Sequence, residues 1–154
     1  QWLSWFDLSK EDPQHILKES LKSEIKLKKF LTEVKEEYKI QNSQICISGF
    51  SQGCMMSINL GLTSNENFNC IVGFSGKIIN KIDLANRKSS NTKFFLLHGD
   101  SDDVVAPTNL LDAQDFLIRN NIEVQTSIIK NCGHHIPIEA SSLALNYIKK
   151  NFGI

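Results

Sequence analysis

A serine flanked by glycines, Gly49-Phe50-Ser51-Gln52-Gly53, joins two apolar segments and constrains the fold more than any other part of the chain. The segment that leads into it, residues 45–50, is short and nearly continuously apolar, which predicts a strand covered on both faces of a parallel sheet. The residues after it predict a buried helix through Met55, Met56, Ile58, Leu60 and Leu62. A strand that turns directly into a helix through a G-x-S-x-G sequence presents the serine with its Oγ exposed. The pattern therefore predicts a nucleophile at Ser51, and the alternative is a glycine-rich turn with a passive serine.

The rest of the chain alternates predicted helices with predicted strands. The first helix follows Asp12 and Pro13, an N-cap and a first-turn proline, and carries apolar residues at three- and four-residue steps. These apolar residues are Leu17, Leu21, Ile25, Phe30, Leu31, Val34 and Tyr38. Further strands are predicted at 70–74, 94–97 and 123–129, further helices at about 107–120 and 138–152, and loops at 63–69 and 79–92. The alternation indicates one α/β domain over residues 1–154, with a mostly parallel sheet covered by helices on both faces.

Composition and charge exclude several classes of function. The 17 basic and 17 acidic residues cancel, so no global field would draw the chain onto nucleic acid or an anionic membrane. The 41% apolar content is that of an ordinary globular protein, and no integral membrane segment is expected. The four cysteines lie far apart without a CxxC pair or a secretory leader, which favours reduced thiols and a cytoplasmic location. The expected partner is a small or neutral substrate.

A serine hydroxyl is a weak nucleophile near neutral pH, so it needs a general base, and the base needs an orienting carboxylate. In α/β-hydrolases these residues follow later strands in the order serine, acid, histidine. Candidates stand in that order after the third and fourth predicted strands, namely Asp100, Asp102 and Asp103, then His134 and His135. The residue types alone leave the choice among them open.

The turn around Ser51 carries further expectations. Gly49 and Gly53 are expected to remove side chains that would collide with neighbouring backbone. Gln52 begins the helix, so its backbone N–H is expected to stabilise an oxyanion where the helix N-terminus adds partial positive charge. Cys54 is expected to pack beneath the turn, with a place facing the substrate as the alternative.

In their order along the chain, the motifs resemble those of the phospholipase/carboxylesterase family, which includes acyl-protein thioesterases. The matching pieces run from the first residues nearly to the last: Ser4–Asp7, Gly49–Gly53, His98–Asp102 with Val104-Val105, and Gly133–Ile136. The resemblance implies an α/β-hydrolase fold that needs neither a metal nor an organic cofactor.

The resemblance also assigns roles within the motifs. The acid is Asp102, the last residue of the family's His-Gly-x-x-Asp sequence, and the base is His134, which directly follows the glycine near the C-terminus. Asp100 and Asp103 would then cap and shape their loop, and His98 would be structural or solvent-facing. Four apolar residues could line an acyl pocket, with core packing as the alternative: Trp5, Phe6, Val104 and Val105.

By the same resemblance, the substrate is a carboxylic ester or acyl thioester of a small molecule or an acylated protein, and the chain is a monomer or a homodimer. Family members begin with further strands and a His-Gly-rich loop that supplies a second oxyanion donor. Nothing before Trp2 matches that loop, so the sequence predicts a fold whose N-terminal strands are missing. The open alternatives are an inactive truncated or split-gene remnant, a non-enzymatic binding module on this fold, and a dienelactone-hydrolase-like or peptidase activity.

Overall fold

Helices and strands alternate throughout the computed structural model, which describes residues 4–154. The strands are β1 (Cys46–Phe50), β2 (Cys70–Phe74), β3 (Phe94–Gly99) and β4 (Val124–Ile129). The helices are α1 (Pro13–Tyr38), α2 (Gln52–Thr63), α3 (Lys81–Arg87), α4 (Thr108–Arg119) and α5 (Ile138–Phe152), with a short 3-10 turn at Asn42–Gln44. The predicted strands and the four longer helices are confirmed to within three residues at each end.

The four strands form a single parallel sheet in the order β1-β2-β3-β4. Each strand therefore pairs with the next one along the chain, and every connection between neighbours contains a helix. Because parallel strands end at the same edge of a sheet, the turns after β1, β3 and β4 all lie at one edge. The prediction of a mostly parallel sheet is confirmed.

Helices cover both faces of the sheet, as predicted. On one face α2 and α4 pack against a core that includes Ile71, Phe94 and Leu96. On the other face α5 packs against β2 and β3 through Ala140 and Ala144.

Strand β1 is less covered than its sequence predicts. Ser48 is exposed and Phe50 is 37% exposed, whereas all five residues of β2 are buried. The physical reason is the position of α5, which lies over β2 and β3 and leaves part of one face of β1 open. The expectation that residues 45–50 are covered on both faces is therefore wrong.

The segment 79–92, predicted as a loop, contains helix α3. This helix begins after Asn80, which has a left-handed φ of 58°, and it carries an ion pair between Asp83 and Arg87 one turn apart. Leu84 is its one fully buried residue, while Ile82 is exposed. So short a helix with a single anchoring side chain gives little apolar periodicity in the sequence.

Helix α1 forms where predicted, but polar as well as apolar residues lie on its packed face. Three of its apolar residues, Ile25, Phe30 and Tyr38, are exposed, whereas Ser20, Ser23 and Glu24 are buried. The buried polar groups have partners, since Ser20 Oγ accepts from Asn80 Nδ2 at 2.9 Å and Ser23 Oγ donates to the Trp5 carbonyl at 3.1 Å. Hydrogen bonds and ion pairs thus help to set the orientation of α1, alongside the packing of Leu27 and Leu31.

Glu24 is the centre of this polar contact. Its carboxylate accepts two hydrogen bonds from Arg87, at 2.8 and 3.1 Å, and lies 2.9 Å from Lys28 Nζ. Thr63 Oγ1 on α2 donates a further bond at 2.9 Å. Burial by itself would raise the pKa of Glu24, but the bonds from Arg87, Lys28 and Thr63 outweigh it and hold this pKa below its usual value. The cluster joins α1, α2 and α3.

Candidate active site

The turn after β1 has the strained geometry that its sequence predicts. Ser51 has φ 54° and ψ −116°, and its N–H donates to the Phe74 carbonyl at 2.9 Å, which extends the pairing of β1 with β2. A Cβ on Gly49 would fall inside contact distance of the Gly53 backbone carbonyl group. A Cβ on Gly53 would meet no atom within 4 Å, so the expectation that this second glycine avoids a collision is wrong. Of these two glycines, only Gly49 stands at a close approach of β1 and α2.

Ser51, His134 and Asp102 form a continuous hydrogen-bonded chain. His134 Nε2 lies 3.1 Å from Ser51 Oγ, and His134 Nδ1 lies 2.8 Å from Asp102 Oδ2. The carboxylate can only accept, so Nδ1 carries a proton, and in the neutral imidazole Nε2 can then accept from the serine hydroxyl. The structure thus brings together the three residues that the sequence analysis selects, from the turns after β1, β3 and β4.

Asp102 is buried and fully engaged in hydrogen bonds. Its side chain accepts through Oδ1 from the backbone N–H groups of Val104 at 2.9 Å and Val105 at 2.8 Å. Burial would raise the pKa of Asp102, but the bonds from His134, Val105 and Val104 outweigh it and keep this pKa below the usual value. The group is therefore a carboxylate at neutral pH.

The other candidate residues, Asp100, Asp103 and His135, have different surroundings. Asp100 Oδ1 accepts from Ser101 Oγ at 2.7 Å and from the Cys132 N–H at 3.3 Å, which ties the acid-bearing turn to the histidine-bearing turn. Asp103 is exposed to solvent. His135 points its Nε2 towards Cys132 Sγ, at 3.9 Å. Neither His135 nor these two acids takes part in the hydrogen-bonded triad of Ser51, His134 and Asp102.

The sequence analysis did not predict two residues that contact the hydrogen-bonded triad Ser51–His134–Asp102. The Phe50 ring packs on the His134 ring with centroids 4.7 Å apart. His98 is buried, not solvent-facing, and its Nε2 lies 3.3 Å from Asp102 Oδ2. The sequence signal for both was adjacency: Phe50 directly precedes the serine, and His98 opens the motif that ends in Asp102.

The Gln52 side chain holds the segment before α1 against α2. Its Oε1 accepts from the Trp5 N–H at 2.8 Å, and its Nε2 donates to the Phe6 carbonyl at 2.6 Å. Gln52 is also the first residue of α2, where backbone N–H groups have no partner within the helix. The Gln52 backbone therefore lies at the turn after Ser51, while its side chain bonds the backbone of residues 5 and 6.

The four apolar residues considered for an acyl pocket separate into two pairs. Phe6 and Val105 are buried in one core cluster with Met55, so the core-packing alternative holds for them. Trp5 is 46% exposed and Val104 is 67% exposed. Trp5 is tied to Gln52 and Val104 to Asp102, which places both residues beside the hydrogen-bonded chain.

Cys54 packs beneath the turn, as expected. A Cβ on Gly76 would lie 2.5 Å from Cys54 Sγ, and one on Gly73 would also fall inside contact distance. Burial raises the pKa of this thiol to about 12, so it is neutral. All four cysteines are free.

Over residues 4–154, no group of three or more His, Cys, Asp or Glu side chains is placed to hold a metal ion. Nor does any helix in this range combine the length and the apolar character that crossing a membrane would require.

A parallel sheet covered by helices, with a strand–serine–helix turn at its carboxyl edge, defines an α/β-hydrolase fold. The chain belongs to the phospholipase/carboxylesterase family, whose model matches residues 1–152. It is 30% identical over 115 residues to acyl-protein thioesterase 1 of Yarrowia lipolytica, across 71% of this chain, and 31% identical over 128 residues to acyl-protein thioesterase 1 of Aspergillus fumigatus, across 75%. The crystal structure of the esterase PE8 superposes on 96% of the chain with a TM-score of 0.89 and 28% identity.

These comparisons confirm the resemblance and the fold class. The chain spans about half the length of the curated relatives it matches, 50% and 52%, and 69% of the PE8 chain. The family is that of phospholipases and carboxylesterases, and the two curated relatives are acyl-protein thioesterases by name.

Proposed function

We propose that this chain is a serine hydrolase that cleaves carboxylic esters or acyl thioesters through an acyl-enzyme. The observation that carries the proposal is the hydrogen-bonded chain from Ser51 Oγ through His134 to Asp102, with links of 3.1 and 2.8 Å. Both distances fall near the reach that nucleophile and base need. The strained backbone at Ser51 supports the same reading, because such strain gathers at functional sites.

In the proposed first half-reaction, Ser51 Oγ attacks the acyl carbonyl while His134 Nε2 takes the hydroxyl proton. Asp102 holds the imidazole in the correct tautomer and stabilises the positive charge that forms on it. The carbonyl π electrons move to oxygen, and the Gln52 N–H at the start of α2 donates to this oxyanion. Collapse of the intermediate breaks the bond to the alcohol or thiol, which leaves with the proton from His134.

In the second half-reaction, water attacks the acyl group on Ser51. His134 Nε2 takes a proton from this water and returns it to Ser51 Oγ as the ester bond breaks, which releases a carboxylic acid. Ser51 again has a free hydroxyl and His134 is again neutral, so both residues are ready for another substrate.

The relatives and the surface beside the triad support the proposed substrate class. Two relatives are acyl-protein thioesterases by name and PE8 is an esterase, so both thiol and oxygen leaving groups belong to the proposal. Exposed Trp5 and Val104 flank the proposed triad and offer apolar surface to an acyl chain. Parallel assays with matched acyl thioesters and p-nitrophenyl esters would rank the two leaving groups.

Intact-mass analysis after exposure to a fluorophosphonate probe tests the proposal. The wild-type chain should gain one adduct, and Ser51→Ala should gain none. Asp102→Asn should slow labelling by about four orders of magnitude, because it removes the acceptor that fixes the tautomer. The matched controls are exposed Ser48→Ala and Asp103→Asn, which should label like wild type. Folded wild-type protein that takes no adduct would refute hydrolase activity for this chain and favour a remnant or a binding module.

A further inference from the structure

Two cysteines that lie far apart in the sequence stand side by side in the sheet. Cys46 and Cys70 are the first residues of β1 and β2, and they are Cα partners in the parallel pairing of these strands. Neighbouring strands lie about 4.8 Å apart, and the side chains of paired residues leave a sheet on the same face. The fold therefore places two free thiols next to each other, at the end of β1 opposite to Ser51.

The two cysteines differ in their access to solvent. Cys70 is fully buried, whereas Cys46 is only partly buried and lies on the outer strand β1. Cys46 packs against the same core cluster as Tyr147 and Ile148 of α5, but this helix lies over β2 and β3 and leaves part of β1 open. A small reagent from solvent therefore reaches Cys46 before it reaches Cys70.

The two thiols also act on each other. The Cys46 S–H lowers the pKa of Cys70, because it can donate a hydrogen bond to the Cys70 thiolate. Burial of Cys70 works in the opposite direction but does not outweigh this effect on the pKa. Such an influence requires the two sulfur atoms to be near neighbours, as the pairing of their strands also indicates.

We propose that Cys46 and Cys70 form a reversible redox site, which a low-molecular-weight disulfide such as glutathione disulfide converts into an intrachain disulfide. The strand spacing of about 4.8 Å falls within the range of about 4.4–6.8 Å that Cα atoms span in disulfides. The Cβ atoms of the pair are about as far apart as the strands, which exceeds the usual separation of about 3.5–4.5 Å, so the bond would carry strain. Strained disulfides are reduced more easily than relaxed ones, which makes the modification reversible.

The thiols exchange with the small disulfide in two steps. Cys46 Sγ, as the thiolate, attacks one sulfur of the small disulfide and its S–S bond breaks, so that the other half leaves as a thiolate and takes up a proton. Cys70 Sγ then attacks Cys46 Sγ in this mixed disulfide, and the second half leaves in the same way. The two cysteines lose two protons and two electrons, and the small disulfide is reduced to two thiols.

The bond would tie the outer strand β1 to β2 and close a loop that contains α2. Oxidation would thus add a covalent link to the strand that α5 leaves partly open. The pair lies at the opposite end of β1 from Ser51, so the inference stands or falls apart from the proposed hydrolase activity.

Intact-mass analysis of the folded chain after equilibration with glutathione disulfide tests the site. The wild-type chain should lose the mass of two hydrogen atoms, and reduced glutathione should restore it. Cys70→Ser should keep a glutathione adduct on Cys46, whereas Cys46→Ser should gain none on the buried Cys70. Cys132→Ser removes another buried free cysteine and is the matched control, which should oxidise like wild type.

Peptide mapping of the oxidised wild-type chain without reductant decides the outcome even if a serine variant does not fold. One crosslinked pair of peptides should contain Cys46 and Cys70. A wild-type chain that stays at its reduced mass, or whose crosslink joins other cysteines, would overturn the proposal. A stable glutathione adduct on wild-type Cys46 would also overturn it, because Cys70 would then be unable to reach the mixed disulfide.

Discussion

The backbone at Ser51 is left-handed although the residue has a side chain, and the surrounding contacts must hold it there. Those contacts are backbone to backbone: the Ser51 N–H binds the Phe74 carbonyl, and Gly49 lies against the Gly53 carbonyl group. Flexible side chains could move aside, but main chain on both sides cannot. The conformation of one residue thus depends on the absence of a Cβ two residues earlier.

A matched pair of glycine variants tests this dependence. Gly49→Ala should lower the free energy of unfolding by at least about 2 kcal/mol, because its Cβ would collide with the backbone of Gly53. Gly53→Ala should stay within about 1 kcal/mol of wild type, since its Cβ meets nothing within 4 Å and alanine is favoured in a helix. Urea unfolding followed by circular dichroism measures both values. Equal losses in the two variants would contradict the asymmetry.

The residue scale also shows what sequence reasoning can reach. Ser51, Asp102 and His134 could be selected because each stands in a motif whose order along the chain reflects strand order in a parallel sheet. The selection of Asp102 over Asp100, two residues earlier, needed the family pattern. No pattern of residue types predicts that His98 Nε2 reaches Asp102 Oδ2, because that contact depends on the path of residues 102–105.

At the scale of elements, α1 packs through a buried carboxylate, Glu24, as well as through apolar residues such as Leu27 and Leu31. A sequence window gives Ile25 and Phe30 more weight than Glu24, since apolar residues usually face the core. The structure reverses this order because Arg87 and Lys28 satisfy the Glu24 charge. Arg87 lies on α3, a helix that was itself not predicted, so its pairing with Glu24 was outside the reach of local periodicity.

Substitution of Glu24 tests the contribution of this contact. At neutral pH, Glu24→Gln should lower the free energy of unfolding by about 2–3 kcal/mol, because Arg87 and Lys28 lose a buried partner. The pKa of Glu24 is lowered in the folded chain from 4.5, so its stabilisation is fully present above that pH and is lost as the pH falls through the folded value. The gap between variant and wild type should therefore narrow as the pH is lowered below 4.5.

Urea titrations of both proteins at a series of pH values would measure the gap. Exposed Glu33→Gln on the same helix is the control and should change stability by less than about 0.5 kcal/mol at every pH. A gap for Glu24→Gln that is independent of pH would mean that the carboxylate charge is not what α1 depends on.

The connection between α2 and the segment before α1 rests on the Gln52 amide. Gln52→Ala should remove the acceptor of the Trp5 N–H and speed its hydrogen exchange by about tenfold or more, as a hydrogen bond of about 1.4 kcal/mol implies. Gln52→Glu keeps that acceptor and loses only the donor to the Phe6 carbonyl, so Trp5 should stay protected. The exchange rate of the Trp5 amide, measured by NMR in both variants and in wild type, tests these expectations. Unchanged protection in Gln52→Ala would show that other contacts hold the segment.

At the scale of the whole molecule, the residues of the proposed triad follow strands that lie far apart in the sheet, including the two outer strands β1 and β4. Ser51 follows β1, an outer strand of the four-stranded sheet. Asp102 follows β3, and His134 follows β4, the outer strand on the opposite side. The histidine-bearing turn must therefore reach back across the ends of β3 and β2. The chain achieves this by close main-chain approach at the end of β3, where a Cβ on Gly99 would collide with the carbonyl oxygens of Cys132 and Gly133.

The sequence predicts only part of the arrangement that brings these turns together. Alternating strands and helices indicate a parallel sheet, and they place all strand ends at one edge. They do not say how far a turn must travel along that edge. That distance is bridged here by contacts such as the bond between Asp100 and the Cys132 N–H, which join residues 32 positions apart.

Gly99→Ala should separate assembly of the site from stability of the sheet. Its Cβ would push the 132–133 main chain away, and a displacement of about 1 Å between His134 and Ser51 should slow fluorophosphonate labelling about 100-fold. Gly133→Ala is the control, since the nearest atoms to its Cβ lie at 3.9 and 4.0 Å, and it should label within about threefold of wild type. Circular dichroism should show the same helix and strand content in both variants. If Gly99→Ala labels normally, the histidine-bearing turn is positioned by its bond to Asp102 and its packing on Phe50, and close approach at the end of β3 is not required.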